Sequence, residues 1–92
     1  MDVFLYSSKA LSAGRDQLED DINEFLSDKG FVTGAGAGMT GWNLDIEIID
    51  RNDRETLLED LKEFLRNWPV PDDAYLDVDG TRHELFYSPP NP

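Results

Sequence analysis

The chain has no cysteine, a single histidine and few cations: eight Lys and Arg stand against twenty Asp and Glu in 92 residues. Without cysteine there is no disulfide framework, no thiolate zinc site and no cysteine nucleophile. The shortage of cations leaves a net charge of −12. That sign argues against direct binding of DNA, RNA or anionic lipid, all of which reward Lys and Arg. No run approaches the ~20 apolar residues of a membrane span. The start, Met1-Asp2-Val3-Phe4-Leu5, has neither the basic region nor the long apolar stretch of a signal peptide. A cytoplasmic protein with no membrane partner is expected.

What is present is a core. Apolar residues make up 39% of the chain and aromatics 11%, too many for a disordered acidic tail. The length suits one compact domain, here 1–88, with a loose proline-rich tail at 89–92. Charge of one sign opposes compaction while it aids solubility and steers encounters with positive partners. The surplus therefore points outside the fold, toward a basic protein.

Hydrophobic periodicity predicts seven elements. Val3 to Ser7 reads as a strand. Leu11, Leu18, Ile22, Phe25 and Leu26 recur at helical spacing, giving a helix over Ala13 to Lys29 with Gly30 just past its end. Phe31-Val32-Thr33 is a short strand running into a glycine stretch. Trp42 to Ile49 alternates, with Trp42, Leu44, Ile46 and Ile48 on one face and Asn43, Asp45 and Glu47 on the other. Asp50 to Asp53 supplies N-cap chemistry for a second helix carrying Leu57, Leu58, Leu61, Phe64, Leu65 and Trp68, which stops before Pro69. Tyr75 to Val78 and Thr81 to Tyr87 flank Asp79-Gly80, a strong two-residue hairpin signal that places Asp77 opposite Arg82 as a cross-strand ion pair. The order β-α-β-β-α-β-β predicts an α+β ferredoxin-like sandwich, two helices on one face of an antiparallel sheet, with the Trp42 strand central.

Few motifs carry chemistry. Gly36-Ala37-Gly38-Met39-Thr40-Gly41 satisfies G-x-G-x-x-G, but a strand follows it where a dinucleotide site needs a helix. No cation lies between Lys29 and Arg51. A flexible or bulged hairpin connection is the better reading, or a bare loop that another protein can approach closely. His83 shares a face with Leu76 and Leu85 and reads as structural. Ser7, Ser8, Ser12 and Ser27 form no nucleophile elbow. Asp77-Val78-Asp79-Gly80 lacks the third acidic position and terminal Glu of an EF-hand. No catalytic residue, metal site or cofactor is expected.

The face opposite the core is the candidate site. Asn43, Asp45 and Glu47 form one row, and Tyr75 and Asp77 fall on the corresponding face of a later strand. Phe4 and Tyr6, or else Val3 and Leu5, join them. Aromatics among carboxylates suit an interface: rings supply packed area, carboxylates pair with Arg or Lys opposite. The outer helix carboxylates Asp20, Glu24 and Asp28 are the competing surface, and Glu59, Asp60 and Glu63 read as a solvated face relieved by Lys62 and Arg66.

The stretch Gly34-Ala-Gly-Ala-Gly-Met-Thr-Gly-Trp-Asn-Leu-Asp-Ile-Glu-Ile, followed by a helix and a Val78-Asp79-Gly80 hairpin, resembles small acidic bacterial immunity proteins encoded beside toxins. That resemblance implies inhibition of a cognate toxin domain by tight, charge-complementary binding. Two alternatives stand beside it: a small-molecule or nucleotide-binding regulatory domain using the glycine loop, and a DNA mimic that occupies a nucleic-acid-binding protein.

Overall fold

The computed structural model describes residues 1–11, 14–68 and 70–86. Asp2–Ser7 forms β1 and Arg15–Leu26 forms α1, which ends in one 3-10 turn at Ser27–Lys29. Gly30–Gly38 is β2, Gly41–Ile48 is β3, Arg54–Asn67 is α2, Tyr75–Val78 is β4 and Thr81–Glu84 is β5. The strands make one antiparallel sheet in the order β2-β3-β1-β4-β5. Each helix joins two parallel strands that have an antiparallel strand between them: β3 sits between β1 and β2, and β1 between β3 and β4. Among the described residues no helix is long and apolar enough to cross a membrane.

Register explains the core. Leu5 pairs with Leu44 on one side and Leu76 on the other; Val3 pairs with Ile46 and Val78. Strand side chains alternate faces, so these form two transverse apolar rows beneath the helices. Leu18, Ile22 and Leu26 from α1 and Leu57, Leu58, Leu61 and Leu65 from α2 join them in one buried cluster. Phe25 and Phe64 stack between the helices at 4.7 Å.

Several local expectations need correction. The middle strand is β1, not the strand that carries Asp45 and Glu47. Gly30 does not cap α1: it is extended and opens β2, while Ser27 takes a positive φ (55°) at the helix end. Gly30 is glycine for a different reason, since a Cβ there would lie 2.5 Å from the Glu47 carbonyl oxygen. The glycine stretch is strand as far as Gly38, with a bulge between Val32 and Gly34 and the turn at Met39-Thr40. Asp53 precedes α2, but in a left-handed conformation and with no side-chain cap.

Lys62 is not on the solvated face of α2. It is buried, and its ammonium donates to Glu59 Oε1 and to His83 Nδ1, each at 3.0 Å. His83 is half-buried on the core side opposite Leu76, as its parity implies. The last strand ends at Glu84, and Ser12, Ala13, Pro69, Tyr87 and the 89–92 tail lie outside the described residues.

Candidate functional site

The helices cover one face of the sheet, and the other face carries the predicted residues. Asn43, Asp45 and Glu47 from β3 and Tyr75 and Asp77 from β4 lie on it together, half-buried. β1, which runs between those strands, contributes Asp2, Phe4 and Tyr6. The first-strand facing left open by the sequence is thereby decided, and Asp2 was its readable signal: it shares the parity of Phe4 and Tyr6.

The register arranges these side chains in rows across the sheet. One row runs Asp45, Phe4, Asp77, Arg82. The next runs Gly36, Asn43, Tyr6, Tyr75, Glu84, and Phe31, Glu47 and Asp2 form a third. Tyr6 stacks on Tyr75 at 5.3 Å, and Phe4 lies 6.3 Å from Tyr6, tilted. The five strands hold five carboxylates and, in Arg82, a single Lys or Arg.

Arg82 does not form the expected ion pair with Asp77, although the two are opposite in register. Its Nε donates to Glu84 at 2.6 Å and its guanidinium lies 3.8 Å from the Tyr75 ring centroid. Asp77 Oδ1 instead accepts the Gly80 N–H at 2.9 Å, which closes the hairpin turn. This leaves the Asp77 charge beside the aromatic row. Burial raises the Tyr6 phenol above its ordinary value first, and the charge of Asp77, Tyr75 and then Asp45 raises it further.

Asp2 and Glu47 are opposite one another, and carboxyl–carboxyl hydrogen bonding to Asp2 is the largest cause that holds the Glu47 pKa above its ordinary value. Glu47 thus binds a proton more readily folded than unfolded. Its contribution to stability is fully present below the unfolded value and is lost as pH rises through the folded one. Asp2→Asn is expected to raise the melting temperature at pH 7, with wild type and variant converging once both carboxyls are protonated. Equal melting temperatures at pH 7 would mean that the two carboxyls do not oppose folding.

Between Tyr6, Tyr75, Asn43 and the bare backbone of Gly36 and Gly38 lies a cleft of about 460 Å³, closed at one end by Thr40, Gly41 and Trp42. Asn43 Nδ2 donates to Asp45 Oδ1 at 2.8 Å, which turns Asn43 Oδ1 toward Gly36. No side chain fits on Gly36 as it stands, since its Cβ would lie 2.8 Å from that oxygen.

No family model, curated protein or solved structure matches this chain. Two of the serines share one carboxylate: Ser7 Oγ donates to Asp73 Oδ1 at 2.6 Å, and Ser8 donates to Asp73 Oδ2 through both its backbone N–H (3.0 Å) and its hydroxyl. Among the described residues no group of three His, Asp or Glu is placed to hold a metal ion.

Asp73 was not singled out by sequence reasoning, yet it ties the end of β1 to the start of β4 and so holds Tyr6 beside Tyr75. The Ser7 and Ser8 hydroxyls keep its carboxyl below the ordinary range. Its stabilisation is complete above the unfolded value, ~3.9, and is lost as pH falls through the folded one. Asp73→Ala leaves the Ser7 hydroxyl only its contacts with the Lys9 backbone and removes both bonds from Ser8, an expected loss of about 1–3 kcal/mol. Thermal melts should show a lower midpoint at pH 7 and a shallower fall below pH 4 than wild type; an unchanged midpoint would show the contact to be idle.

Proposed function

We propose that this chain is an acidic protein-binding inhibitor, an immunity protein that neutralises a cognate bacterial toxin domain by charge-complementary binding through the open face of its sheet. The observation that carries this reading is the composition of that face: Asp2, Asp45, Glu47 and Asp77 surround Phe4, Tyr6 and Tyr75, and the one Lys or Arg within the strands, Arg82, lies on Tyr75. Rings and carboxylates in alternation offer packed area together with charge for Arg or Lys opposite. A partner that cleaves nucleic acid presents a basic cleft, and a chain of charge −12 would approach it fast and with strong salt dependence.

The same reading takes the architecture as a ferredoxin-like sandwich extended by one edge strand. Its support is the pair of helical crossovers, each spanning one antiparallel strand, with β5 added by the Asp79-Gly80 hairpin. The nucleotide-binding alternative has less support. The glycines form an edge strand that runs into another strand, and among the described residues no Lys or Arg lines the open-face cleft they border; Arg15 reaches the Gly36 carbonyl from α1.

The test is capture from a lysate of the encoding cell, eluted with a salt gradient. Wild type is compared with Asp45→Lys/Glu47→Lys and with a helix-face variant, Asp20→Lys/Glu24→Lys. Loss of the salt-eluted partner from the first variant alone supports this face; loss from the second alone moves the interface to α1.

A further inference from the structure

We propose that the cleft beside Tyr6 is a receptor for one arginine side chain of the basic partner. This rests on the open face being the protein-binding surface, and it names the group that the face takes at one place.

The sheet already holds a guanidinium by the same means. Arg82 lies on Tyr75, and Tyr75 lies on Tyr6. With β5, β4 and β1 adjacent in that order, Arg82, Tyr75 and Tyr6 form a three-layer stack across the sheet. The next position in the row belongs to Asn43 and Gly36, and there β2 presents backbone only. The cleft is therefore walled by tyrosine on one side and floored by peptide groups. A planar cation that enters it continues the stack from the far side of Tyr6.

Hydrogen bonding and charge agree with that occupant. Asn43 Oδ1 faces Gly36 as an acceptor, and the amide behind it is bonded to the Asp45 carboxylate. An arginine donor reaching Asn43 Oδ1 would have the Asp45 carboxylate two residues along the strand. Asp77 and Asp45 both act on Tyr6 electrostatically, so the ring lies in a negative field. Arginine fits better than lysine, because its flat guanidinium stacks on a ring while it donates in its own plane; an ammonium does one or the other.

The experiment is an ¹⁵N–¹H correlation titration of the full chain at low ionic strength. The probes are acetyl-Gly-Gly-Arg-Gly-Gly-amide and the same peptide with lysine or uncharged citrulline in place of arginine. The arginine peptide should shift the amides of Gly36, Gly38 and Gly41 and the side-chain amide of Asn43, with citrulline about fivefold weaker. Gly38→Phe, at a position with open space around its Cβ, fills the cleft and should abolish those shifts while circular dichroism stays native.

Equal response to citrulline, shifts centred on the α1 carboxylates, or an unchanged response in Gly38→Phe would each overturn the proposal. The two readings fail separately. If the Asp45 and Glu47 reversal abolishes partner capture while Gly38→Phe captures as wild type does, the cleft assignment falls and the face stands. If the reversal has no effect on capture, the face itself is wrong.

Discussion

Lysine at both Asp45 and Glu47 is expected to weaken capture of the basic partner by about a thousandfold at low salt while the protein stays folded. Close charge pairs at electrostatically matched interfaces couple by ~1.5–7 kcal/mol, so two pairs near the low end reach roughly 4 kcal/mol, or three decades. Each reversal changes the charge by two, so the pair moves the net charge from −12 to −8. Most of the acidity remains, and a loss of this size cannot be put down to net charge alone. The Asp20 and Glu24 reversal makes the same change of net charge on exposed positions of α1 and serves as the control.

The fold should tolerate the open-face reversal. Asp45 loses only its hydrogen bond from Asn43. At Glu47 the change removes one of two facing carboxyls, which relieves the contact with Asp2. Raising salt should slow wild-type association and narrow the gap between the proteins, since screening acts first on long-range steering. If both reversals weaken capture equally at every salt concentration, the partner reads total charge and the open face has no special part.

How much of this was legible beforehand varies with the element. The alternation through Trp42 to Ile48 placed Asn43, Asp45 and Glu47 on one face because a half-buried strand has a period of two. The Leu stripes of both helices were readable for the same kind of reason, at period 3.6. Asp79-Gly80 was readable as a turn, and both residues have positive φ, 50° and 90°. The glycine stretch was not readable as strand. Gly-Ala repeats carry no apolar alternation, and only pairing with β3, out to Gly38 opposite Gly41, makes the segment extended.

Two side chains were misjudged because their surroundings come from distant parts of the chain. Arg82 was assigned by register to Asp77, but the turn amide of Gly80 already holds that carboxylate, and the Tyr75 face and Glu84 lie as close. Lys62 flanks the apolar stripe of its helix, four residues after Leu58 and three before Leu65. It is buried because β5 brings His83 to its ammonium, a contact across 21 positions of sequence. A helical wheel contains no information about the strand that covers it.

Gly41→Ala is expected to have the largest effect of any single methyl group added on the site side of this protein. Gly41 has φ +139°, where an L side chain is strained, and a Cβ there would lie 2.2 Å from the Ser7 carbonyl oxygen and 2.8 Å from Ser8 Cα. Neither neighbour is a flexible side-chain end. Both are backbone, and Ser7 and Ser8 are fixed in turn by Asp73. Left-handed strain costs ~1–3 kcal/mol by itself; backbone overlap adds to it, and about 3–5 kcal/mol is expected, a large share of the roughly 5–14 kcal/mol available to 92 residues. The thermal midpoint should fall by about 12–40 °C at 4–8 °C per kcal/mol.

Neighbouring glycines make the prediction discriminating. Gly38→Ala meets nothing within 4 Å and should melt within a few degrees of wild type. Gly36→Ala collides with the Asn43 amide, an end that can swing, so the fold should survive while Asn43 loses its orientation toward Asp45. A melt series in which all three alanine variants fall together would mean that the glycines serve strand flexibility in general. Collapse of Gly41→Ala alone would fix the hairpin against β1 as the contact that shapes one end of the cleft.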